Sequence, residues 1–351
     1  MMSRMRVPGD ATRWRRRAAM AMLSLAAALP AAHADCKFKR VATIPVEWVD
    51  VRLTLAGSIN DTPMQMVVDT GAQRTVVSGP LAEKLKLPLV HVNNVQVGVG
   101  GRSEESMSRL DELSLGRYQW HRAKVAVVWN SGGHLPDVLV GAAALFERDV
   151  ELTDQQMSFF SGTDCEDAEL GYWADGVPWV PMFAKTAEDL RVKVTVQVNG
   201  VPVLALVDSG APFSVLDATV ARRLGFEPDD PALRTGVVGG IGKHLNAVSV
   251  IALDSLAIGP EIVKRPRIQV TDLWGSAQHD LPPTQAGDFF AARPTMILGA
   301  DFVRSHRLLF ANSQHRLYFS YLGGEVIQVP RPAALAAATA PAAASAPVAA
   351  H

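Results

Sequence analysis

Leu53-Thr-Leu-Ala-Gly-Ser-Ile-Asn60-Asp-Thr-Pro63-Met-Gln-Met-Val-Val-Asp69-Thr70-Gly71-Ala72 is matched, at a constant offset of 139, by Val192-Lys-Val-Thr-Val-Gln-Val-Asn199-Gly-Val-Pro202-Val-Leu-Ala-Leu-Val-Asp208-Ser209-Gly210-Ala211. A match of this length marks a duplication, so each copy is read as one structural unit. Val192 to Val198 alternates apolar and polar residues, Asn199-Gly200 suits a two-residue hairpin turn, and Val203 to Val207 is an apolar run fit for a buried strand. Asn60-Asp61 stands as a weaker turn at the same place in the first copy.

The offset of 139 also carries Ser78 onto Asp217, each placed to cap a short helix (80–85 and 218–224), and Gly100-Gly101 onto Gly239-Gly240. Further on, Leu139-Val140-Gly141 matches Ile297-Leu298-Gly299 at an offset of 158, so the second half has gained residues. Most of them lie between Thr271 and Arg293, a stretch rich in Asp, Gly and Pro that reads as a loop at one rim of a cleft. Long amphipathic helices are missing, which makes the expected class all-β, in a two-lobed body.

In each copy an apolar strand runs straight into Asp-Thr/Ser-Gly-Ala. A charged carboxylate at the end of a buried strand costs solvation energy, which makes Asp69 and Asp208 candidate functional groups. Brought together from two halves of a pseudo-symmetric pair, they could not both stay ionised and would share a proton. One carboxylate could then take a proton from a water while the other protonates a substrate carbonyl.

Val67-Val68-Asp69-Thr70-Gly71-Ala72 and Leu206-Val207-Asp208-Ser209-Gly210-Ala211 resemble the active-site loops of the aspartic peptidases, specifically the retropepsin-like group fused in tandem into a pepsin-like bilobal chain. The resemblance covers about 50 to 325 and implies two pseudo-symmetric lobes of the barrel-like acid-protease fold with the active-site cleft between them, and a peptidase that needs no metal or other cofactor. It makes Asp69 and Asp208 the catalytic dyad, Thr70 and Ser209 the hydroxyls that cross-brace the loops, and Gly71 and Gly210 the glycines whose backbone approaches the carboxylates. Val97-Gly98-Val99-Gly100-Gly101 and Gly236-Val237-Val238-Gly239-Gly240-Ile241-Gly242 resemble substrate-covering flaps, one per lobe. Neither carries the tyrosine of a pepsin flap, which favours a two-flap arrangement. Leu139-Val140-Gly141 and Ile297-Leu298-Gly299 match the family's strand behind the active-site loop; Asp301 follows only in the second lobe, where the first has Ala143. Ala72 and Ala211 stand where many pepsins place a hydroxyl, so the ionised dyad loses support and mildly acidic activity is expected.

The whole chain has 351 residues, 48% hydrophobic, with 34 Lys+Arg against 35 Asp+Glu. A net charge of −1 offers no basic surface for nucleic acid. That average hides unlike parts. Residues 1–34 hold six Arg and the single acid Asp10, then the apolar run Ala18 to Ala32 and Ala32-His33-Ala34, which together read as a secretory signal peptide. Without it, 28 bases face 34 acids, about −6. The expected organisation is a signal peptide (1–34), an N-terminal lobe (35–163), a linker (164–185), a C-terminal lobe (186–330) and a disordered Ala/Pro-rich tail (331–351).

Cys36 and Cys165 both lie in the exported part, where an even number of cysteines favours a disulfide over two buried thiols. A lipid anchor on Cys36 is disfavoured by Ala34-Asp35 before it. No His-Glu-x-x-His or Cys-x-x-Cys spacing suggests a metal site, and His91, His121, His244 and His306 read as surface or structural residues. The expected protein is a periplasmic or secreted endopeptidase, not stably inserted in a membrane, whose partner is a peptide or protein substrate. One chain supplies both carboxylates, so a monomer is sufficient. The rival reading keeps the fold and the acidic cleft as a non-catalytic peptide-binding module.

Overall fold

The hairpin expected across Asn60–Asp61 pairs Arg52–Ile59 with Thr62–Val68, and its counterpart pairs Lys193–Val198 with Val201–Val207. Their registers coincide under the offset: Thr54 faces Val67 as Lys193 faces Leu206. Asn60 and Asp61 (φ 45° and 64°) and Asn199 and Gly200 (φ 48° and 78°) all take the left-handed backbone that a tight hairpin turn requires. Both asparagines add a second bond, Asn60 Oδ1 accepting from Glu112 N at 3.1 Å and Asn199 Oδ1 from Asp254 N at 2.9 Å.

The computed structural model describes residues 36–129, 135–186, 189–280, 293–327 and 329. The expected signal peptide, the Ala/Pro-rich tail and residues 281–292 of the expected insertion lie outside the described residues. The described residues form three sheets. In the first half the path runs Leu89–Gly98, Gly101–Arg109, Lys124–Val128, Val76–Ser78, Val138–Val140, Thr62–Val68, Arg52–Ile59, Glu112–Leu115, Tyr118–His121, with Glu47–Val49 also on Arg52–Ile59. In the second half it is Arg234–Val238, Asn246–Ala252, Arg267–Thr271, Val215–Asp217, Met296–Leu298, Val201–Val207, Lys193–Val198, Ser255–Ile258, Glu261–Lys264, the same order.

Six strands from both halves make the third sheet, in the order Lys39–Pro45, Gln156–Ser161, Asp149–Leu152, His306–Ala311, Arg316–Tyr321, Trp179–Pro181. At its centre Glu151 faces Leu309, the pair that the offset of 158 interchanges, so the pseudo-two-fold axis passes here. The main hydrophobic cluster runs through both halves, with Phe159, Phe302, Phe310 and Phe319 fully buried. Glu151 is itself buried and is held by Arg307 Nε at 2.7 Å and the Tyr172 hydroxyl at 3.0 Å. A buried carboxylate is stable when paired in this way.

Both expected helices form, as Gly79–Lys84 and Ala218–Arg223, with Ser78 accepting from Leu81 N and Asp217 from Thr219 N. Two stretches differ from expectation. Within the expected linker, Trp179–Pro181 is a strand, because Leu317 and its neighbours offer an open sheet edge at a distance in sequence. At the start of the expected insertion loop, Gly275–Asp280 is a helix without apolar periodicity, where Asp272 Oδ1 accepts from Trp274 N at 3.2 Å and Gly275 N at 2.6 Å. Among the described residues no helix is long and apolar enough to cross a membrane.

Cys36 and Cys165 form a disulfide, with Cα atoms 4.6 Å apart, beside the stacked rings of Phe38 and Phe160. It closes a sequence separation of 129, for which chain entropy sets a ceiling of about 5 kcal/mol. Urea denaturation of the protein with and without reductant, beside the Cys36→Ser/Cys165→Ser double variant, checks this. The oxidised protein should unfold at the highest urea and the double variant should ignore reductant; coincident midpoints would show that the cross-link adds no stability.

Candidate active site

Each aspartate leaves a central strand whose parallel neighbour is the apolar-apolar-Gly strand of the same half. Val67 and Val68 lie beside Leu139 and Val140, and Leu206 and Val207 beside Ile297 and Leu298. The ladder holds the aspartate backbone itself, Asp69 N donating to Val140 O at 3.0 Å and Asp208 N to Leu298 O at 2.8 Å. Beyond that point the chain must turn. Asp69 Oδ1 accepts from Gly71 N at 3.0 Å and Ala72 N at 2.8 Å; Asp208 Oδ1 accepts from Gly210 N at 2.9 Å and Ala211 N at 3.1 Å. Each carboxylate is thus oriented by its own loop.

The two loops meet across the pseudo-axis. Thr70 Oγ1 donates to Val207 O at 2.8 Å and accepts from Ser209 N at 2.9 Å. Reciprocally, Ser209 Oγ donates to Val68 O at 2.6 Å and accepts from Thr70 N at 3.1 Å. A Cβ on Gly71 would lie 2.2 Å from the Asp208 carboxyl carbon, and one on Gly210 2.4 Å from that of Asp69. Only glycine lets each loop backbone approach the opposite carboxylate so closely.

Burial pushes both carboxyls above the usual range. For Asp69 the neighbouring Asp208 charge adds to the effect, while the Ala72 and Gly71 amides oppose it. For Asp208 the Gly210 and Ala211 amides, the hydrogen bond with Asp69 and the Arg191 charge oppose it. A buried, adjacent like-charged pair takes up one proton between its members. The second half keeps further support: buried Asp301 accepts from Ser214 N at 2.8 Å and Ser214 Oγ at 2.7 Å, and Ser214 Oγ accepts from Gly299 N at 3.0 Å. In the first half Thr75 Oγ1 accepts from Gly141 N at 3.3 Å, but Ala143 supplies no carboxylate.

Arg52 and Arg191 were not singled out from sequence, although the offset of 139 relates them. Burial lowers the Arg52 pKa and the charges of Asp50 and Asp69 oppose that shift. Arg191 is fixed to Asp189 through Nε at 2.7 Å and Nη2 at 3.0 Å. Their equal spacing before each aspartate was the available signal.

The two glycine-rich segments are hairpin tips that meet. Gly98 faces Gly101 in the first hairpin, and Val238 faces Asn246 in the second. Gly100 N donates to Ile241 O at 3.0 Å, and His244 N donates to Gly100 O at 2.9 Å. Of the expected flap glycines, Gly98 and Gly100 are packed against the second tip, and Gly101 has φ +94°. In the second tip a Cβ on Gly240, which Gly239 adjoins, would lie an ordinary 3.7 Å from Val99; the tight position is Gly242, with φ +106°. The tips also cross: Val99 packs against the cluster of Val215, Leu273 and Ile297 in the second half, and Ile241 against that of Val67, Val76 and Leu139 in the first. Asn246 Nδ2 donates to Val99 O at 2.7 Å, and Asp280 Oδ2 accepts from Arg102 N at 3.0 Å, so the short helix from the insertion braces the first tip. Of the histidines, His306 is buried and bonds Glu261 Oε1 at 2.8 Å, while His244 lies 3.3 Å from Asp280.

A family model described as aspartyl protease matches residues 55–144 and 194–302, one segment in each half. The chain belongs to the aspartyl protease family. Family and fold together indicate an aspartic peptidase, a hydrolase. The fold is similar to that in the crystal structure of aspartic proteinase from Irpex lacteus, with a TM-score of 0.50 and 11% identity over 80% of this chain and 97% of that one. A retropepsin-like aspartic protease from Rickettsia conorii also matches, with a TM-score of 0.28 and 17% identity over 36% of this chain and 96% of that one. No curated protein matches in sequence.

The cross-brace makes Thr70 and Ser209 interdependent. Thr70→Val or Ser209→Ala strands buried backbone groups and should each cost about 1–3 kcal/mol. A double-mutant cycle on urea stability should show strong non-additivity, since either loss breaks the same reciprocal set; additive effects would mean that the loops are held independently.

Proposed function

We propose that the protein is an aspartic endopeptidase that hydrolyses peptide bonds with water activated by Asp69 and Asp208. The observation that carries this reading is that each carboxylate sits against the glycine of the opposite loop, which puts both acids at one point. With one proton between them, the ionised carboxylate takes a proton from water as that water attacks the peptide carbonyl. The protonated carboxyl gives its proton to the carbonyl oxygen, forming a tetrahedral diol. Collapse of the diol breaks the C–N bond, with a proton passing to the leaving nitrogen. Thr70 and Ser209 are positioning residues that hold the two carboxyls in register.

An extended peptide would lie between the sheets beneath the hairpin tips, which must part to admit it. Val99 packs against the apolar cluster of Val215, Leu273 and Ile297, which Ala211, three residues beyond Asp208, also packs against, so the first tip reaches the surroundings of the active-site loops and the separation of the tips sets access. Gly98, Gly100, Gly101, Gly239 and Gly240 are read as the flexible, backbone-presenting part of these flaps. Both carboxylates belong to one chain, so a monomer suffices. The disulfide fits an oxidising compartment, and with the expected signal peptide it supports export to the periplasm or beyond.

Purified protein incubated with a denatured protein mixture should produce fragments that a statine-type transition-state mimic suppresses, and Asp69→Asn and Asp208→Asn should each abolish them. Fragments identical in wild type and both variants would remove the peptidase reading; saturable peptide binding without cleavage would leave a binding module. The pH profile has a predictable sign. Activity needs the singly protonated pair, and both carboxyls are raised, so the active window moves upward from the strongly acidic range near about pH 2 into mildly acidic pH. An optimum in that strongly acidic range would contradict the burial argument.

A further inference from the structure

Strand Gly101–Arg109 carries a carboxylate that the proposed chemistry does not use. Its register sets Glu105 opposite Val128 and Met107 opposite Ala126, and directly opposed residues put their side chains on the same face. Val128 and Ala126 belong to an apolar cluster with Val67, Val76 and Leu139, whereas Val125 and Val127 face the main core. Ile241, from the hairpin tip of the other half, packs on this same cluster. The face is therefore the first half's wall of the cleft, and Val67 lies two residues before Asp69.

On that wall the Glu105 side chain is 1% exposed. Among the described residues its Oε1 has one long contact, 3.5 Å to Arg74 Nη1, and its buried Oε2 has no hydrogen-bond partner. Buried carboxylate oxygens are normally paired, so an unpaired one beside a binding cleft calls for an incoming donor. The Arg74 side chain is 40% exposed and, among the described residues, is held by that single contact, so it is able to swing away. The other half has no counterpart: continuing the matching register of strands Asn246–Ala252 and Arg267–Thr271 puts Val248 at the equivalent place.

We propose that Glu105 forms the end of a subsite that receives the cationic side chain of a lysine or arginine in the bound peptide. The wall suits such a side chain along its length. Met107, Val128 and Leu139 offer apolar contact to the aliphatic stem, and the free carboxylate oxygen accepts from the ammonium or guanidinium at its end. Because only one half carries the carboxylate, the preference falls on one side of the scissile bond. The inference rests on the endopeptidase reading and adds to it the class of side chain selected.

The test uses peptides identical except for lysine or norleucine, scanned through the positions flanking the cleaved bond. In the wild type kcat/KM should favour lysine at one position by about tenfold or more, the scale of one charge-assisted hydrogen bond. In Glu105→Gln the lysine-to-norleucine ratio at that position should fall to about one; taken within one protein, the ratio cancels any general loss of activity. Arg74→Ala should raise the ratio by removing the competing cation. A wild type indifferent to lysine at every position, or a ratio that survives Glu105→Gln, would overturn the inference and leave norleucine cleavage standing. Absence of all cleavage would instead fail the endopeptidase reading. Calorimetric binding of the same peptides to the Asp69→Asn protein, with and without Glu105→Gln, then decides the lysine preference separately.

Discussion

Two carboxylates held together inside a protein repel each other and resist burial, and the rest of this molecule is arranged to keep them there. The reciprocal bonds of Thr70 and Ser209 tie the two loops across the pseudo-axis, each hydroxyl donating to a carbonyl and accepting from an amide of the other half. At Gly71 and Gly210 the missing Cβ leaves the room that the opposite carboxylate occupies. Behind them, parallel ladders to Val140 and Leu298 fix how far each strand runs before it turns. The six-stranded sheet below, with Glu151 and Leu309 on the axis, joins the halves through backbone rather than through side chains alone. None of these parts makes a site from one half.

The halves have drifted in ways that leave that arrangement intact. Asp301 supports the second loop, but Ala143 stands at the matching place in the first, where Thr75 alone keeps the bond to the glycine amide. The short helix that ends at Asp280 braces the first hairpin tip from the second half, with no equivalent insertion in the first. Glu105 faces the cleft wall where the other half has Val248. Differences of this kind give an otherwise symmetric cleft a direction, which a peptide, itself directional, requires.

What could be read from sequence was local. An apolar run ending in Asp-Thr/Ser-Gly-Ala states its own strand and turn, and repetition at a fixed offset pairs the two without knowledge of distant contacts. Ser78 and Asp217 announced their helices because a cap acts within three residues. Trp179–Pro181 was hidden because its strand character comes from Arg316–Tyr321, far along the chain. Gly242 was passed over for Gly239 and Gly240, since the crossing of the two tips decides which glycine is crowded. The side on which Glu105 stands depends on a pairing register, and a shift of one residue would turn it to the opposite face.

The central claim is that Asp69 and Asp208 act as one titrating unit. A difference proton titration of wild type against the Asp69→Asn/Asp208→Asn double variant tests it most directly, because Asp301 and all other carboxyls cancel. The account predicts two separated steps, one proton leaving first and the second retained well above the usual carboxylate range. Release of both protons together near about pH 4, as from two independent exposed carboxyls, would contradict it.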